Sequence, residues 1–218
     1  SHHTELSQTN GETDGRWCFI NGNNTPRVAR IDLTTFRTQE IIELPNSGGN
    51  HSSPFITENT EYVVAGTRFS VPADNSNGDV PINTYKQNFK GHLSFVKVGK
   101  EGDMSIAFQI QCPGVNFDLS HAGKGKSHGW MFFSCYNTEQ ANTLLEVNAS
   151  QKDKDFIMAV NWKKAEEYIK AGKGKMTSAK YAHNVYNEST HSATSEMKTQ
   201  VLVLDSKELK DICYMIPC

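Results

Sequence analysis

Three groups of short strand-like segments, separated by polar turns, constrain the fold of this chain most strongly. Segments rich in β-branched and aromatic residues and bounded by Gly, Pro, Asn or Asp predict strands. The groups cover 16–21, 27–33 and 39–45, then 61–71, 91–99 and 104–110, then 129–137 and 155–162, with two later strands at 200–205 and 211–217. Repeated short antiparallel strands are typical of a sandwich, a barrel or a propeller.

The aromatic residues that lead these groups favour the propeller. Trp17, Tyr62 and Trp130 each stand near the start of a strand, and the intervals between them are unequal. Unequal intervals suit blades that carry insertions of different length. We therefore predict an all-β fold, an incomplete β-propeller of about three blades.

One segment breaks the strand pattern and predicts a short amphipathic helix inserted on the outside of the sheets. The segment covers 161–175, and Gly172 is a natural stop for the helix. One face of the helix carries three apolar side chains, Trp162, Ala165 and Ile169. Residues 72–90 and 174–199 are polar with little periodicity, so they are predicted to be long loops.

Composition and charge exclude several classes of protein. The 218 residues are 37% hydrophobic and carry a formal net charge of −2, so there is no basic footprint for nucleic acid or for an anionic membrane. No apolar run approaches the roughly 20 residues of a membrane span. The five cysteines are scattered and form no CxxC pair, which argues against a disulfide framework or a zinc ribbon.

Histidines recur ahead of the aromatic-led strands. His3, His51 and His121 each precede a polar turn and the strand that leads a group. In a propeller the innermost strands surround a central channel, so ligands at equivalent places in successive blades would meet there. Imidazole binds copper, zinc, iron or nickel well. The alternative is a set of exposed or hydrogen-bonded histidines, and an adjacent pair such as His2–His3 is also typical of a purification tag.

Long stretches of the chain resemble nitrous oxide reductase. The stretches are "HHTELSQTNGETDGRWCFINGNNTPRVARIDL", "ELPNSGGNHSSPFITENTEYVV", "FDLSHAGKGKSHGWMFFSCYNTEQA" and "VNASQKDKDFIMAVNWKKAEEYIKAGKGK". The last two are similar to the second major lineage of that family, the one common in Bacteroidetes-like bacteria. The resemblance covers essentially the whole chain, and it continues for thirty residues past His3, which argues against the tag.

The resemblance implies a fold and a set of copper ligands. Family members have an N-terminal seven-bladed propeller and a C-terminal cupredoxin domain, and residues 1–218 match part of the propeller. The propeller holds CuZ, a four-copper sulfide cluster bound by seven histidines, and the cupredoxin domain holds the binuclear CuA centre. His2, His3 and His51 match three CuZ ligands. The other four, and the cupredoxin domain, match nothing in these residues, so the chain alone is expected to be inactive.

The family also binds calcium near the cluster. Tyr136 and Glu139 match its Tyr-Asn-x-Glu element, and Asp155 best matches a later aspartate, with Asp153 as the alternative. Phenol, carboxylate and carbonyl oxygens suit a hard cation such as calcium. The competing interpretation is that Tyr136 packs in a strand and that Glu139 is a solvated turn residue.

The chain departs from the family pattern at several positions. "TEL" follows His3 where the family has Pro-His, and Ser52 stands where glycine follows the ligand histidine. His121 and His128 match no ligand position, so the resemblance removes His121, which the repeat had suggested. His92, His183 and His191 are likewise expected to lie away from the copper ligands.

By resemblance the reaction is the two-electron, two-proton reduction of nitrous oxide to dinitrogen and water, the last step of denitrification, in the periplasm. The implied electron donor is a cytochrome c or a cupredoxin, and the full-length protein is expected to be a homodimer. Since a propeller hosts many functions, two alternatives stay open: a non-catalytic binding or scaffold protein, and an enzyme that uses another metal.

Overall fold

The computed structural model describes residues 4–9, 12–22, 26–45, 50–56, 61–67, 71–72, 89–112, 116–121, 129–135, 156–187, 192–205 and 213–217. Within them the chain forms fifteen strands and one helix. The elements are β1 (Thr4–Thr9), β2 (Glu12–Asn21), β3 (Arg27–Asp32), β4 (Arg37–Glu43), β5 (Asn50–Ile56), β6 (Glu61–Thr67), β7 (Val71–Pro72), β8 (Phe89–Val98), β9 (Met104–Cys112), β10 (Asn116–His121), β11 (Trp130–Cys135), β12 (Phe156–Asn161), α1 (Trp162–Lys170), β13 (Lys175–Asn187), β14 (Ser192–Asp205) and β15 (Cys213–Pro217).

Twelve of the strands form three antiparallel meanders of four strands each. In the first meander, β1, β2, β3 and β4 pair in chain order. In the second, β5, β6, β8 and β9 pair in chain order, and the short β7 pairs with β8. In the third, β10, β11, β12 and β15 pair in the same way. The predicted strand groups correspond to these meanders, but the first strand of each, β1, β5 and β10, was not predicted.

A long hairpin joins the first two meanders into one sheet. β13 pairs antiparallel with β14 and with β4, and β14 pairs parallel with β9. The result is a sheet of eleven strands beside the four-stranded sheet of the third meander. The predicted loop over 174–199 was therefore wrong. The segment lacks apolar alternation, yet its Thr, Tyr and Val residues favour extended backbone, and β4 and β9 pair with its two edges.

Two apolar cores lie on opposite faces of the second meander. One core packs this meander against the third meander and α1, and consists of Tyr62, Val64, Leu93, Phe95, Phe108, Ile110, Met131, Phe133, Met158, Val160, Trp162, Ala165 and Leu204. The other packs it against the first meander and β13, and consists of Trp17, Phe19, Val28, Ile42, Leu44, Val63, Ala65, Val96, Val98, Met104 and Tyr181. Because successive side chains of a strand point to opposite faces, the second meander is a middle layer buried on both sides.

The predicted amphipathic helix is confirmed as α1. Asn161 caps its N-terminus, since the side chain accepts a hydrogen bond from the backbone N–H of Lys164 at 3.1 Å. Trp162 and Ala165 are buried in the core between the second and third meanders. The helix ends at Lys170, and Gly172 follows with a φ of 72°, a left-handed conformation that glycine adopts without strain.

The all-β class is confirmed by the strands of the two sheets. Most of the other predicted loop, 72–90, lies outside the described residues, although Phe89 already begins β8. In the part of the chain that the structure describes, no helix has the length and apolar character needed to cross a membrane.

Candidate functional site

The first strands of the three meanders lie together, with β5 in contact with both β1 and β10. Followed through successive pairings, β1 and β5 run in the same direction along the sheet. The N-terminal ends of β1, at Thr4, and of β5, at Asn50, therefore face the same way along the strand direction. His3 directly precedes Thr4 in the sequence and His51 directly follows Asn50, which makes the N-terminal ends of these two strands the candidate functional site.

The backbone of His51 belongs to β5, and its pairing partner on β6 is Gly66. Gly66 pairs in turn with Leu93 on β8. A glycine inside a strand has no side chain to pack and often marks a place where another group comes close. The side chain of His51 lies outside the described part of the structure, so its role as a copper ligand stays a prediction.

The other predicted ligands also lie outside the described residues. They are His2 and His3 for copper, and Tyr136, Glu139 and Asp155, with the alternative Asp153, for calcium. Over the described ranges, no three or more His, Cys, Asp or Glu side chains are grouped so that they could share a metal ion.

A polar cluster around Asp14 lies near the other end of β1. The Asp14 carboxylate on β2 accepts hydrogen bonds from Thr9 at 2.7 Å and from Arg16 Nε at 2.7 Å, and Ser7 also donates to it. Burial opposes ionisation of Asp14, but the hydrogen bonds that it accepts outweigh burial and hold the pKa of the carboxyl well below its usual range. An acid that is so easily ionised is a weak proton acceptor at neutral pH, so this carboxylate is suited to structure rather than to proton transfer.

The same cluster connects the first meander to the second. Arg16 Nη2 lies 3.3 Å from a carboxylate oxygen of Glu61, the first residue of β6. The other oxygen of Glu61 accepts a hydrogen bond from the backbone N–H of Gln8 on β1 at 3.2 Å. Burial raises the pKa of the Glu61 carboxyl, and this exceeds the opposing effects of the Gln8 hydrogen bond and the Arg16 charge. These contacts connect β1 and β2 of the first meander to β6 of the second.

A second charged cluster joins β3, β4, β9 and β13. Glu40 on β4 is buried and accepts hydrogen bonds from the backbone N–H of Met104 on β9, at 3.1 and 3.0 Å for its two oxygens. Arg30 Nη2 lies 3.6 Å from the same carboxylate, and His183 Nε2 on β13 contacts it directly. His183 thus lies on the joining hairpin, in the strand that pairs with β4, and its exclusion from the copper ligands stays a prediction.

Neither cluster was predicted from the sequence. The spacing of Asp14 and Arg16 was an available signal, because residues i and i+2 of a strand share one face. No comparable signal existed for Glu40, since its partners Met104 and His183 are far away in the sequence.

Comparison with known proteins identifies relatives of the chain. No protein-family model matches the chain. A nitrous-oxide reductase of Pseudomonas fluorescens is 30% identical over 179 residues, which cover 79% of this chain. The chain is related to nitrous-oxide reductase. Nitrous-oxide reductases of Stutzerimonas stutzeri, 28% identical over 78% of the chain, and of Ralstonia nicotianae, 29% identical over 91% of it, agree with that match.

These matches confirm the resemblance that the sequence motifs indicated. The aligned part of the chain covers 26% of the length of the Pseudomonas nitrous-oxide reductase, 25% of the Stutzerimonas protein and 30% of the Ralstonia protein. The chain therefore spans about a quarter of the length of the curated relatives that it matches, and the activity of the whole protein belongs to the proposal below.

Proposed function

We propose that the chain forms part of the N-terminal propeller domain of a nitrous-oxide reductase, an enzyme that reduces nitrous oxide to dinitrogen and water. The observation that carries the proposal is the similarity to proteins named nitrous-oxide reductase along about four fifths of the chain. The grouping of the first strands, with His51 near the start of β5, supports it.

The arrangement of the meanders supports a partial propeller of about three of seven blades. Each of the three meanders has four antiparallel strands in chain order. They stack face to face through two apolar cores, and their first strands adjoin one another. The hairpin of β13 and β14 lies between β12 and β15 in the chain and joins the other two blades into one sheet.

Copper is the metal that the proposed ligands would hold, at His2, His3 and His51 within the CuZ cluster. The fit rests on donor chemistry and on placement. Imidazole nitrogens suit copper, His3 precedes the first residue of β1 in the sequence, and β5, which contains the backbone of His51, contacts β1 and runs in the same direction. Gly66, opposite His51, adds no side chain that would compete for the space.

When bound, the cluster would supply electrons for cleavage of the N–O bond. The part of these histidines is to present a neutral nitrogen to the metal, since a protonated imidazole cannot bind it. A hydrogen-bond acceptor on the other ring nitrogen would fix the tautomer of each ligand. His2 and His3 are neighbours, so both can serve one cluster only where the backbone is irregular, because in a regular strand they would point to opposite faces.

Calcium would be held by Tyr136, Glu139 and Asp155. The supporting observation is that Cys135, the last residue of β11, pairs with Phe156, the first residue of β12. Tyr136 and Asp155 therefore continue from neighbouring points at the same end of one strand pair. Asp155→Asn and Asp153→Asn in the full-length protein, each titrated with calcium, would distinguish the two candidates, and unchanged calcium affinity in both would overturn this site.

The remaining parts of the proposal concern the whole protein. Electrons would arrive from a cytochrome c or a cupredoxin through the CuA centre of a C-terminal cupredoxin domain, in a periplasmic homodimer. Since three of seven ligands cannot hold a four-copper cluster, the 218 residues alone would not reduce nitrous oxide.

The test is a pair of histidine substitutions in the full-length reductase, produced with copper. His51→Ala should lower both the copper content per chain and the consumption of nitrous oxide. His121→Ala is the matched control, because His121 ends β10 whereas His51 lies near the start of β5. Full copper content and full activity in His51→Ala would overturn the proposed ligand set, whereas a copper-free and inactive wild type would favour a non-catalytic propeller.

A further inference from the structure

The side chain of Gln109 makes a buried polar link between β9 and the chain that follows β4. Gln109 and Ser94 are fully buried, and Pro45 is buried as well. The amide nitrogen of Gln109 donates one hydrogen bond to the carbonyl oxygen of Pro45 at 2.7 Å and one to the hydroxyl of Ser94 at 2.8 Å. Buried polar groups are retained when they are hydrogen-bonded, and here both N–H groups of the amide have acceptors.

Pro45 stands where the chain leaves the first meander for the second. Leu44, directly before it, is buried in the core between these meanders, and its N–H donates to the carbonyl of Pro26 at 2.6 Å. His51 follows Pro45 by only a few residues. The hydrogen bond from Gln109 therefore fixes the start of the connection that ends at the candidate copper ligand.

The sheet register puts Gln109 in the row of Ser52, the residue that follows His51. Gln109 pairs with Ser94, Ser94 pairs with Ala65, and Ala65 pairs with Ser52, the neighbour of His51. One row of residues across the second meander thus leads from the buried amide to the start of β5. Gln109 thus takes part in this row through its backbone and binds Pro45, before the connection, through its side chain.

We propose that Gln109 is a positioning residue for His51. Its hydrogen bond to the carbonyl of Pro45 fixes the point at which the connection between the first two meanders begins. In this way it helps to determine the position of His51. This inference rests on the proposed function, in which His51 binds copper. The site requires a neutral side chain with two donors, because a carboxylate there would face the Pro45 carbonyl without a proton to donate.

The test compares Gln109→Met with Val160→Ala in the full-length protein. The Met variant keeps the approximate size of the side chain and removes both donors. The control variant perturbs the core between the second and third meanders, away from Pro45. Gln109→Asn, which keeps an amide but shortens it, takes the place of the Met variant if that one does not fold.

Two measurements are made on protein of matched folded fraction. Amide hydrogen exchange of the peptide covering 44–52, measured without copper, should be about tenfold faster in Gln109→Met, the size expected when a buried hydrogen bond is lost. Copper affinity should be about tenfold weaker, at the lower end of the effect of removing a group behind a metal ligand. Val160→Ala should change neither quantity by a comparable factor.

The outcomes separate this inference from the proposed function. Unchanged exchange of 44–52 in Gln109→Met overturns the positioning role. Unchanged copper affinity in Gln109→Met also overturns it, provided that His51→Ala loses copper. Unchanged copper in His51→Ala instead overturns the proposed ligand set, whatever the Gln109 variants show.

Discussion

Glu40→Gln should destabilise the fold strongly, because one buried carboxylate holds four strands together. The Glu40 side chain is only 4% exposed and contacts Arg30 and His183, besides accepting from the N–H of Met104. Glutamine preserves the shape and can still accept one hydrogen bond from Met104. It removes the charge, however, and turns an amide NH₂ group toward Arg30, which has no acceptor, or toward His183 Nε2, which accepts only when that nitrogen carries no proton.

The expected magnitude follows from the charge pair. A unit charge 3.6 Å from another attracts it by about 5 kcal/mol at an effective dielectric constant of roughly 20. Part of that attraction is offset because the variant no longer has to bury the Glu40 charge. Arg30, whose side chain is 11% exposed, loses its partner, and breaking such a buried pair costs about 3–5 kcal/mol. We expect a loss of about 3 kcal/mol in the free energy of unfolding.

Urea unfolding followed by circular dichroism measures this loss, and Glu43→Gln is the matched control. Glu43 is on the same strand and pairs with Arg27, but the two side chains are 30% and 52% exposed. Exposed pairs contribute about 0–1 kcal/mol, so the control should lose no more than that. The dependence of the free energy of unfolding on urea concentration should be unchanged. If the two variants lie within about 1 kcal/mol of each other, burial does not decide the contribution of these carboxylates and the reasoning is wrong.

Three further predictions concern other parts of the fold. The pKa of Asp14 is lowered on folding, so its ionised form stabilises the fold above the unfolded value of about 3.9. The difference in the free energy of unfolding between the wild type and Asp14→Asn should therefore shrink as pH falls from about 5 to 2. A difference that does not change with pH would contradict this. Asn161→Ala should cost about 0.5–2 kcal/mol through the lost helix cap, measured by urea unfolding, and no loss would count against the cap. Phe95→Ala should lower the free energy of unfolding by about 3–5 kcal/mol, since its ring is fully buried and stacks on Phe108 at 4.3 Å. Phe36→Ala, at a side chain that is 79% exposed, should change it by no more than about 0.5 kcal/mol. Equal shifts of the thermal unfolding midpoint in the two variants would refute that contrast.

The strands that the sequence predicted are those that border an apolar core. Segments such as 61–67 and 91–98 combine β-branched and aromatic residues, and both of their faces are buried in the second meander. The helix was predictable for a similar reason, since Trp162 and Ala165 recur at helical spacing and enter one core. Segments that are extensively buried thus show a recognisable pattern of apolar residues in the sequence.

The joining hairpin shows where such patterns fail. Residues 175–187 and 192–205 pair with β4 and β9, strands that precede them by many residues. The stability of the hairpin comes from those distant edges, and strand propensity depends strongly on such context. A local pattern therefore carried little information about 175–199, although the apolar end of β14 at 200–205 was predicted as a strand. The same failure holds for Glu40, whose partners come from three other strands.

The first strands of the meanders were missed for a reason connected with function. β1, β5 and β10 have the sequences TELSQT, NHSSPFI and NFDLSH, which are too polar for the alternation that marks a half-buried strand. Strands that line a polar or metal-binding centre need such residues, and local rules are expected to fail at functional sites. His51 was therefore found by the recurrence of histidines and by resemblance, while the strand that carries it was not. In this chain the polar segment ahead of each aromatic-led strand is itself a strand, and the candidate site lies where the apolar pattern is weakest.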